Sequence, residues 1–283
     1  MNQKINGKLL LPQKSSCPKL IFFFDIDGTL VEKSGRILIS NSLINIIQRL
    51  KKKNVLFGIN TGRSWAQSKK IYEVFGFNGP IIVENGSAYL LNKNDKIFNI
   101  GKQFLNTRNR VRKILVQYFK KKYGVKVKFL ISDNKSSLNK VTTNLLFLTS
   151  LSRHFSLSLY IREHGCINNH LIYEALNMLK SKFRKKYDNL QFQQIEREGK
   201  ILVFSKKINK IQTMYMVSRR HFKSCKIVFV SDKDKLSSHY RIISFASVKN
   251  SNPSYQKHCQ YIAKTGGAKG ISEIINKFTC KLQ

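Results

Sequence analysis

The stretch that most constrains this chain is Ile21-Phe22-Phe23-Phe24-Asp25-Ile26-Asp27-Gly28-Thr29-Leu30. A short apolar run rich in aromatic and β-branched residues, ending in a polar turn with glycine, predicts a strand covered on both faces. Two carboxylates follow at i and i+2. The end of a strand in an open α/β sheet is where ligands bind. Two Asp this close repel each other unless a cation sits between them, and a hard, oxygen-preferring ion such as Mg²⁺ suits that place. Gly28 lets the backbone turn sharply, and Thr29 offers a hydroxyl and an N–H to an anion. The competing reading is an ordinary turn after a strand, where Asp and Gly are common.

The next segments repeat the pattern. Ser40 to Lys52 has Leu43, Ile44, Ile46, Ile47 and Leu50 at helical spacing, with Ser40 or Asn41 placed to cap it. Val55 to Ile59 is a second short apolar strand, followed by Asn60-Thr61-Gly62-Arg63-Ser64, a helix to about Phe75 and a third strand, Pro80 to Val83. Strand, helix, strand, helix, strand at this spacing means right-handed parallel crossovers. From about Ser87 the character changes. A short strand at 96–100, a helix at 106–123, a half-buried antiparallel strand at 125–131, a helix at 144–160, a helix at 171–187 and two strands around Glu198-Gly199 make an α+β insertion. A helix from Ile208, a fourth parallel strand Lys226 to Val230, and a closing strand, turn and helix complete the chain.

The expected architecture is therefore a Rossmann-like parallel sheet interrupted by an inserted α+β unit. Residues 1–18 form a basic tail, 19–87 the first part of the core, 88–206 the insertion, and 207–283 the second part of the core.

Asp25-Ile26-Asp27-Gly28-Thr29-Leu30 resembles the first motif of the haloacid-dehalogenase-like (HAD) hydrolase superfamily. The resemblance implies that Asp25 is the nucleophile that becomes an aspartyl-phosphate. It makes Asp27 the general acid/base, which also lends its backbone carbonyl to Mg²⁺. Thr61 sits where that superfamily's strand-terminal phosphate-binding Thr or Ser belongs. Thr61-Gly62-Arg63 is the neighbourhood found in the Cof, sucrose-phosphatase and mannosyl-3-phosphoglycerate-phosphatase branch, which carries a large cap between its second and third motifs. Lys210 falls where the third motif's Lys belongs, with Lys206 and Lys207 as competitors. Asp232 stands for the metal-binding acid of the fourth motif. There the family's Gly-Asp-x-x-Asn-Asp reads Ser231-Asp232-Lys233-Asp234-Lys235-Leu236, with Asp234 able to replace part of the lost acid. In the insertion, Ser150-Leu151-Ser152 and Arg162-Glu163 are similar to mannosyl-3-phosphoglycerate phosphatase, which makes Arg162 and Glu163 substrate candidates. The alternative for that pair is a surface ion pair.

The implied function is a Mg²⁺-dependent phosphomonoester hydrolase acting on a small phosphorylated metabolite, with mannosyl-3-phosphoglycerate as first candidate. Lys235 and Leu236 keep open a non-catalytic protein of the same fold that binds anions or nucleic acid. A phosphosugar mutase is a third reading. The formal net charge of +37 is spread over runs such as Lys51-Lys52-Lys53, Lys120-Lys121-Lys122 and Arg219-Arg220. Such runs read as solvated helix ends and polar faces, so nucleic acid is not the expected partner, although a positive field draws anionic substrates inward. No stretch approaches the ~20 apolar residues of a membrane span. Five scattered cysteines without metal spacing suit a reducing cytoplasm.

Overall fold

The computed structural model describes residues 18–280 except 33, 101–104, 135–137, 139–143, 185–189, 207, 224 and 235–241. The expected basic tail, save Pro18, lies outside the described residues, as do Lys207, Lys235 and Leu236.

Thirteen strands among the described residues build two sheets. The first follows the sequence pattern. Strands β1 (Leu20–Phe24), β2 (Val55–Asn60) and β3 (Ile81–Val83) alternate with helices α1 (Asn41–Lys51) and α2 (Trp65–Val74). They continue into β4 (Ala88–Leu90) and β5 (Phe98–Asn99). The insertion contributes α3 (Leu105–Tyr123), β6 (Val127–Ile131), β7 (Leu145–Thr149), β8 (Leu157–Glu163), α4 (Asn169–Arg184), β9 (Leu190–Ile195) and β10 (Lys200–Ser205). The chain then returns through α5 (Lys210–His221), β11 (Lys226–Val230), β12 (Ile243–Ser247), the single turn α6 (Pro253–Gln256), β13 (Tyr261–Ile262) and α7 (Gly267–Thr279).

The eight-stranded sheet runs β13-β12-β11-β1-β2-β3-β4-β5, parallel from β13 to β3, with β4 and β5 added antiparallel. Every residue of β1 is buried because both faces of the sheet are covered. Phe22 and Phe24 join the apolar cluster under α1, α2 and α7, where the Phe22 and Phe57 rings stack 5.4 Å apart. Ile21 and Phe23 point the other way, into the cluster under α5. The strand period of two thus divides one short run between two cores. Helix α1 starts where Ser40 accepts a hydrogen bond from the Leu43 N–H (3.2 Å), and Leu43, Ile47 and Leu50 form its buried stripe. Ser64 and Gln67 form a reciprocal capping box at the start of α2.

The second sheet has the order β6-β7-β8-β10-β9. Helices α3 and α4 cover one face through a cluster centred on Phe119, Phe147, Ile172 and Leu179. Two expectations fail here. The segment 144–160 is not a helix but strands β7 and β8 with a turn between them. Both strands are buried on both faces, so they lack the alternation that marks a strand. Strand β6 pairs parallel to β7, not antiparallel. Its alternating lysines report a half-exposed face and carry no information about strand direction. Strands β4 and β5 pair with the first sheet, which therefore runs on to Asn99, past the expected start of the insertion at 88.

Candidate active site

The register of three neighbouring strands assembles the site. Phe24 is level with Ile59 of β2 and Val230 of β11, so Asp25, Asn60-Thr61 and Ser231-Asp232 leave the same edge of the sheet side by side. The Asp25 N–H donates to the Val230 carbonyl (2.9 Å) and the Thr61 N–H to the Ile82 carbonyl (3.0 Å). These bonds extend the ladders by one rung and fix where the side chains start.

Asp25 is buried, and its Oδ1 accepts from the Ile26 N–H (2.8 Å). Its Oδ2 lies 2.9 Å from the Lys210 Nζ. Lys210 is the first residue of α5, placed there by Asn209, whose side chain caps the helix by accepting from the Gln212 N–H (2.8 Å). The Asn60 side chain donates to the Lys210 carbonyl (3.0 Å), tying that helix start to the end of β2. Lys206 is exposed, so of the described candidates Lys210 is the lysine brought to Asp25. The same ammonium lies 3.4 Å from Asp234, which also accepts from the Ser231 hydroxyl (2.7 Å). Asp234 thus occupies the site despite its displaced position in the sequence pattern. Burial pushes the Asp25 pKa up against the opposing pull of Lys210. Burial also works against the charge of Lys210, but Asp234 and Asp25 together hold its pKa above the ordinary value. One cation shared by two carboxylates stays charged and does not fully offset the desolvation of Asp25.

Asp27 behaves differently. Its side chain is 54% exposed and grips Arg63 in a two-pronged ion pair, at 2.6 Å and 3.1 Å. Burial acts to raise its pKa, but the hydrogen bonds and charge of Arg63 outweigh that and keep it below the ordinary carboxylate value. The pairing of Arg63 with Asp27 joins two loops that no local signal connects. Thr61 is fully buried, and its hydroxyl accepts from the Arg63 N–H (3.2 Å).

Asp232 closes the group. Its Oδ1 is buried and has no hydrogen-bond partner, and burial raises its pKa. Gly28, at φ +84°, lies so close that a Cβ there would fall 2.2 Å from Asp232 Oδ2. The Thr29 hydroxyl is likewise buried without a partner. The Asn252 N–H donates to the Asp232 carbonyl (2.7 Å), so the turn before α6 braces this loop. A desolvated carboxylate oxygen without a donor, beside a second carboxylate, is a hard-oxygen environment that fits a divalent cation. Among the described residues no group of three or more His, Cys, Asp or Glu side chains is gathered for a metal. The expected ligand set needs only two carboxylate side chains, Asp25 and Asp232, with the Asp27 backbone carbonyl.

Arg162 and Glu163 are engaged elsewhere. The Arg162 guanidinium donates to the carbonyls of Ile161 (2.8 Å), Gly199 (3.0 Å) and Glu198 (3.0 Å), fastening the β9–β10 turn. Glu163 accepts from the Asn168 side chain (2.6 Å). None of these bonds reaches the Asp25 group. A different part of the insertion does reach the first sheet. Arg153 donates to the Gly62 carbonyl (2.7 Å), and the Ser152 and Ser64 hydroxyls lie 2.7 Å apart.

The family model for haloacid dehalogenase-like hydrolases matches residues 22–237, and the chain belongs to that family. Over 102 residues it is 29% identical to a phosphoglycolate phosphatase of Sulfolobus acidocaldarius, covering 36% of this chain and 41% of that one. Over 81 residues it is 32% identical to a glucosyl-3-phosphoglycerate/mannosyl-3-phosphoglycerate phosphatase of Persephonella marina, covering 29% of each. The match thus spans less than half the length of either relative. A haloacid dehalogenase-like hydrolase from Bacteroides thetaiotaomicron shares the fold over 92% of this chain and 99% of its own, with a TM-score of 0.66 at 13% identity.

Proposed function

We propose that the protein is a Mg²⁺-dependent phosphatase that hydrolyses a small phosphorylated metabolite, of the sugar-phosphate class, through an aspartyl-phosphate at Asp25. The observation that carries this reading is the buried Asp25–Lys210 contact at 2.9 Å, made between the first strand and a helix 185 residues later. The names of the two matched relatives, both phosphatases, support it.

Phosphate monoesters hydrolyse very slowly unaided, with enzymatic accelerations up to ~10²¹, so several groups must act together. Asp25 attacks phosphorus, its Oδ–P bond forming as the ester P–O bond breaks. Asp27 gives its proton to the departing oxygen. It then takes a proton from water, whose oxygen attacks phosphorus and breaks the Asp25–P bond, releasing inorganic phosphate. Lys210 and Thr61 hold phosphoryl oxygens, and Lys210 keeps Asp25 oriented. Asp25, the Asp27 carbonyl and Asp232 would hold Mg²⁺, and the bound ion would supply the positive charge that lets an anionic nucleophile approach an anionic phosphate. We assign the insertion, from α3 at Leu105 to β10 at Ser205, the role of a cap over this site. The small phosphorylated substrate is the proposed partner. Among the described residues no helix is long and apolar enough to cross a membrane.

The test is phosphate release from a panel of sugar phosphates, phosphoglycolate and an aryl phosphate, with Mg²⁺ or EDTA. Release is expected only with Mg²⁺ and is lost in a folded Asp25→Asn variant. Mg²⁺-dependent turnover by that variant would sink the scheme. No release from any substrate would favour a non-hydrolysing anion binder, and a need for a bisphosphate activator would favour a mutase.

A further inference from the structure

Basic side chains are exposed over much of the described surface, and one face of the insertion sets them beside exposed aromatic rings with a single carboxylate. Helices α3 and α4 lie together on the second sheet. Their solvent side carries Arg112, Lys113, Lys120, Lys121, Lys180 and Lys182, all exposed. Glu174 is the single carboxylate on the two helices, and it is neutralised internally. It accepts from the Tyr118 hydroxyl (2.6 Å), from Lys122 (2.5 Å) and from the Tyr123 hydroxyl. This cluster stiffens the floor of an open cleft of about 650 Å³, walled by Tyr118, Lys122, His170, Tyr173 and Lys182. Tyr173, in its lining, is 59% exposed, and Tyr123, bonded to Glu174, is 40% exposed. On α4, Tyr173 and Asn177 line the cleft at i and i+4, with Lys182 further along the same helix also in its lining.

We propose that this α3/α4 face is a binding surface for single-stranded nucleic acid, separate from the phosphatase site. The chemistry is that of single-strand binders: lysines track a phosphate backbone, and exposed aromatic rings offer faces on which bases stack without sequence preference. The internal neutralisation of Glu174 removes the one group on these helices that would repel a phosphate chain. A flat lysine face alone would suit any polyanion. Tyrosines in a cleft between the lysines suit one that carries planar bases.

The test is fluorescence anisotropy of a labelled 20-nucleotide oligothymidylate with the full chain, titrated across NaCl concentrations. A variant with Lys120→Glu, Lys121→Glu and Lys182→Glu, which spares the Glu174 cluster, is expected to bind at least tenfold more loosely. Its slope of log K against log[salt] should fall by roughly 0.7 for each phosphate no longer neutralised. Tyr173→Ala should weaken binding about fivefold or more with the slope unchanged, the signature of a missing stack. The comparison is Lys51→Glu, Lys52→Glu and Lys53→Glu at the end of α1, which changes net charge equally. Equal weakening by that control would overturn the proposal, because the binding would then be unlocalised. So would no binding at low salt, or Tyr173→Ala binding like the wild type. Phosphatidylserine vesicles form a parallel arm. Vesicle binding that depends on the α3/α4 lysines, with oligonucleotide binding indifferent to them, would assign the face to lipid instead. Phosphate release should be unchanged in all these variants.

Discussion

Asp27 is assigned to deliver a proton, yet Arg63 holds both its oxygens and favours the ionised form. A general acid gripped this way must be reprotonated or regripped as substrate enters, so Arg63 sets the pH at which it works. Removing the cation raises the Asp27 pKa, and the protonated form then persists to higher pH. In Arg63→Ala the basic limb of kcat/KM against pH should move upward, measured with the best substrate of the panel. An unmoved limb would show that another group controls it. Gly28 carries a second expectation. An alanine there needs a left-handed backbone at about 1–2 kcal/mol and displaces the Asp232 carboxylate. Gly28→Ala should lose at least that much stability in urea and should require more Mg²⁺ for half-maximal phosphate release. A wild-type midpoint would contradict the close approach. The sequence revealed these positions unequally. Asp25, Asp27 and Gly28 sit in one contiguous motif whose spacing is itself the signal. The Arg63–Asp27 pair joins residues 36 apart on two loops, and Arg162 was noticed for its neighbours although its guanidinium serves its own turn.

At the scale of elements, the parallel sheet was readable because strand and helix periods alternate cleanly from Leu20 to Val83. The insertion was readable at β9 and β10, where Gly199 marks the turn at positive φ. It was misread at β7 and β8, where continuous burial erases the period, and at β6, where side-chain alternation cannot report pairing direction. The end of α5 offers a prediction of its own. His221 lies at the last position of the helix, where the dipole favours a cation. Burial and then Arg220 nevertheless depress its pKa below the usual 6.5, while its Nε2 lies 3.2 Å from the Tyr89 hydroxyl of β4. The folded chain therefore binds fewer protons at His221 than the unfolded chain does. This contribution to stability is present above pH 6.5 and is lost as the pH falls through the depressed folded value. Melting temperature should decline on acidification through that window, and His221→Gln should flatten this part of the profile. An equal decline in both proteins would remove His221 as its cause.

At the scale of the whole molecule, one buried carboxylate fastens the two sheets together. Glu84 follows β3 of the first sheet with φ +51°, a conformation uncommon for a residue with a side chain. Its carboxylate accepts from the His154 N–H (3.0 Å), the Phe155 N–H (3.0 Å) and the Ser156 hydroxyl (2.7 Å), all in the turn between β7 and β8 of the second sheet. That turn also carries Arg153, a buried guanidinium that donates to Ser156 (2.9 Å) and to the Gly62 carbonyl, two residues before the Ser64 cap of α2. Burial lowers the Arg153 pKa, and Glu84 is the strongest of the charges that oppose this. The turn next to the Thr61–Ser64 loop is therefore held by an anion–cation arrangement out of water, joined through Ser156. Glu84 and Arg153 meet through the Ser156 hydroxyl and not in a direct ion pair. Removing one member of a buried ion pair typically costs about 3–5 kcal/mol, because the survivor is left buried and uncompensated, and that range is the upper scale here. Glu84→Gln keeps the shape, removes the charge and leaves Arg153 stranded. It should destabilise the protein by up to that amount and uncouple the two sheets, so that urea unfolding followed by tyrosine fluorescence and by far-ultraviolet circular dichroism no longer coincides. Adding Arg153→Met should recover part of the loss, because it removes the stranded charge while filling most of its volume. If the double variant is instead less stable than Glu84→Gln by the full cost of a second independent site, the two groups are not coupled. The attachment would then rest on separate contributions from the Glu84 hydrogen bonds and from the Arg153–Gly62 and Ser152–Ser64 contacts.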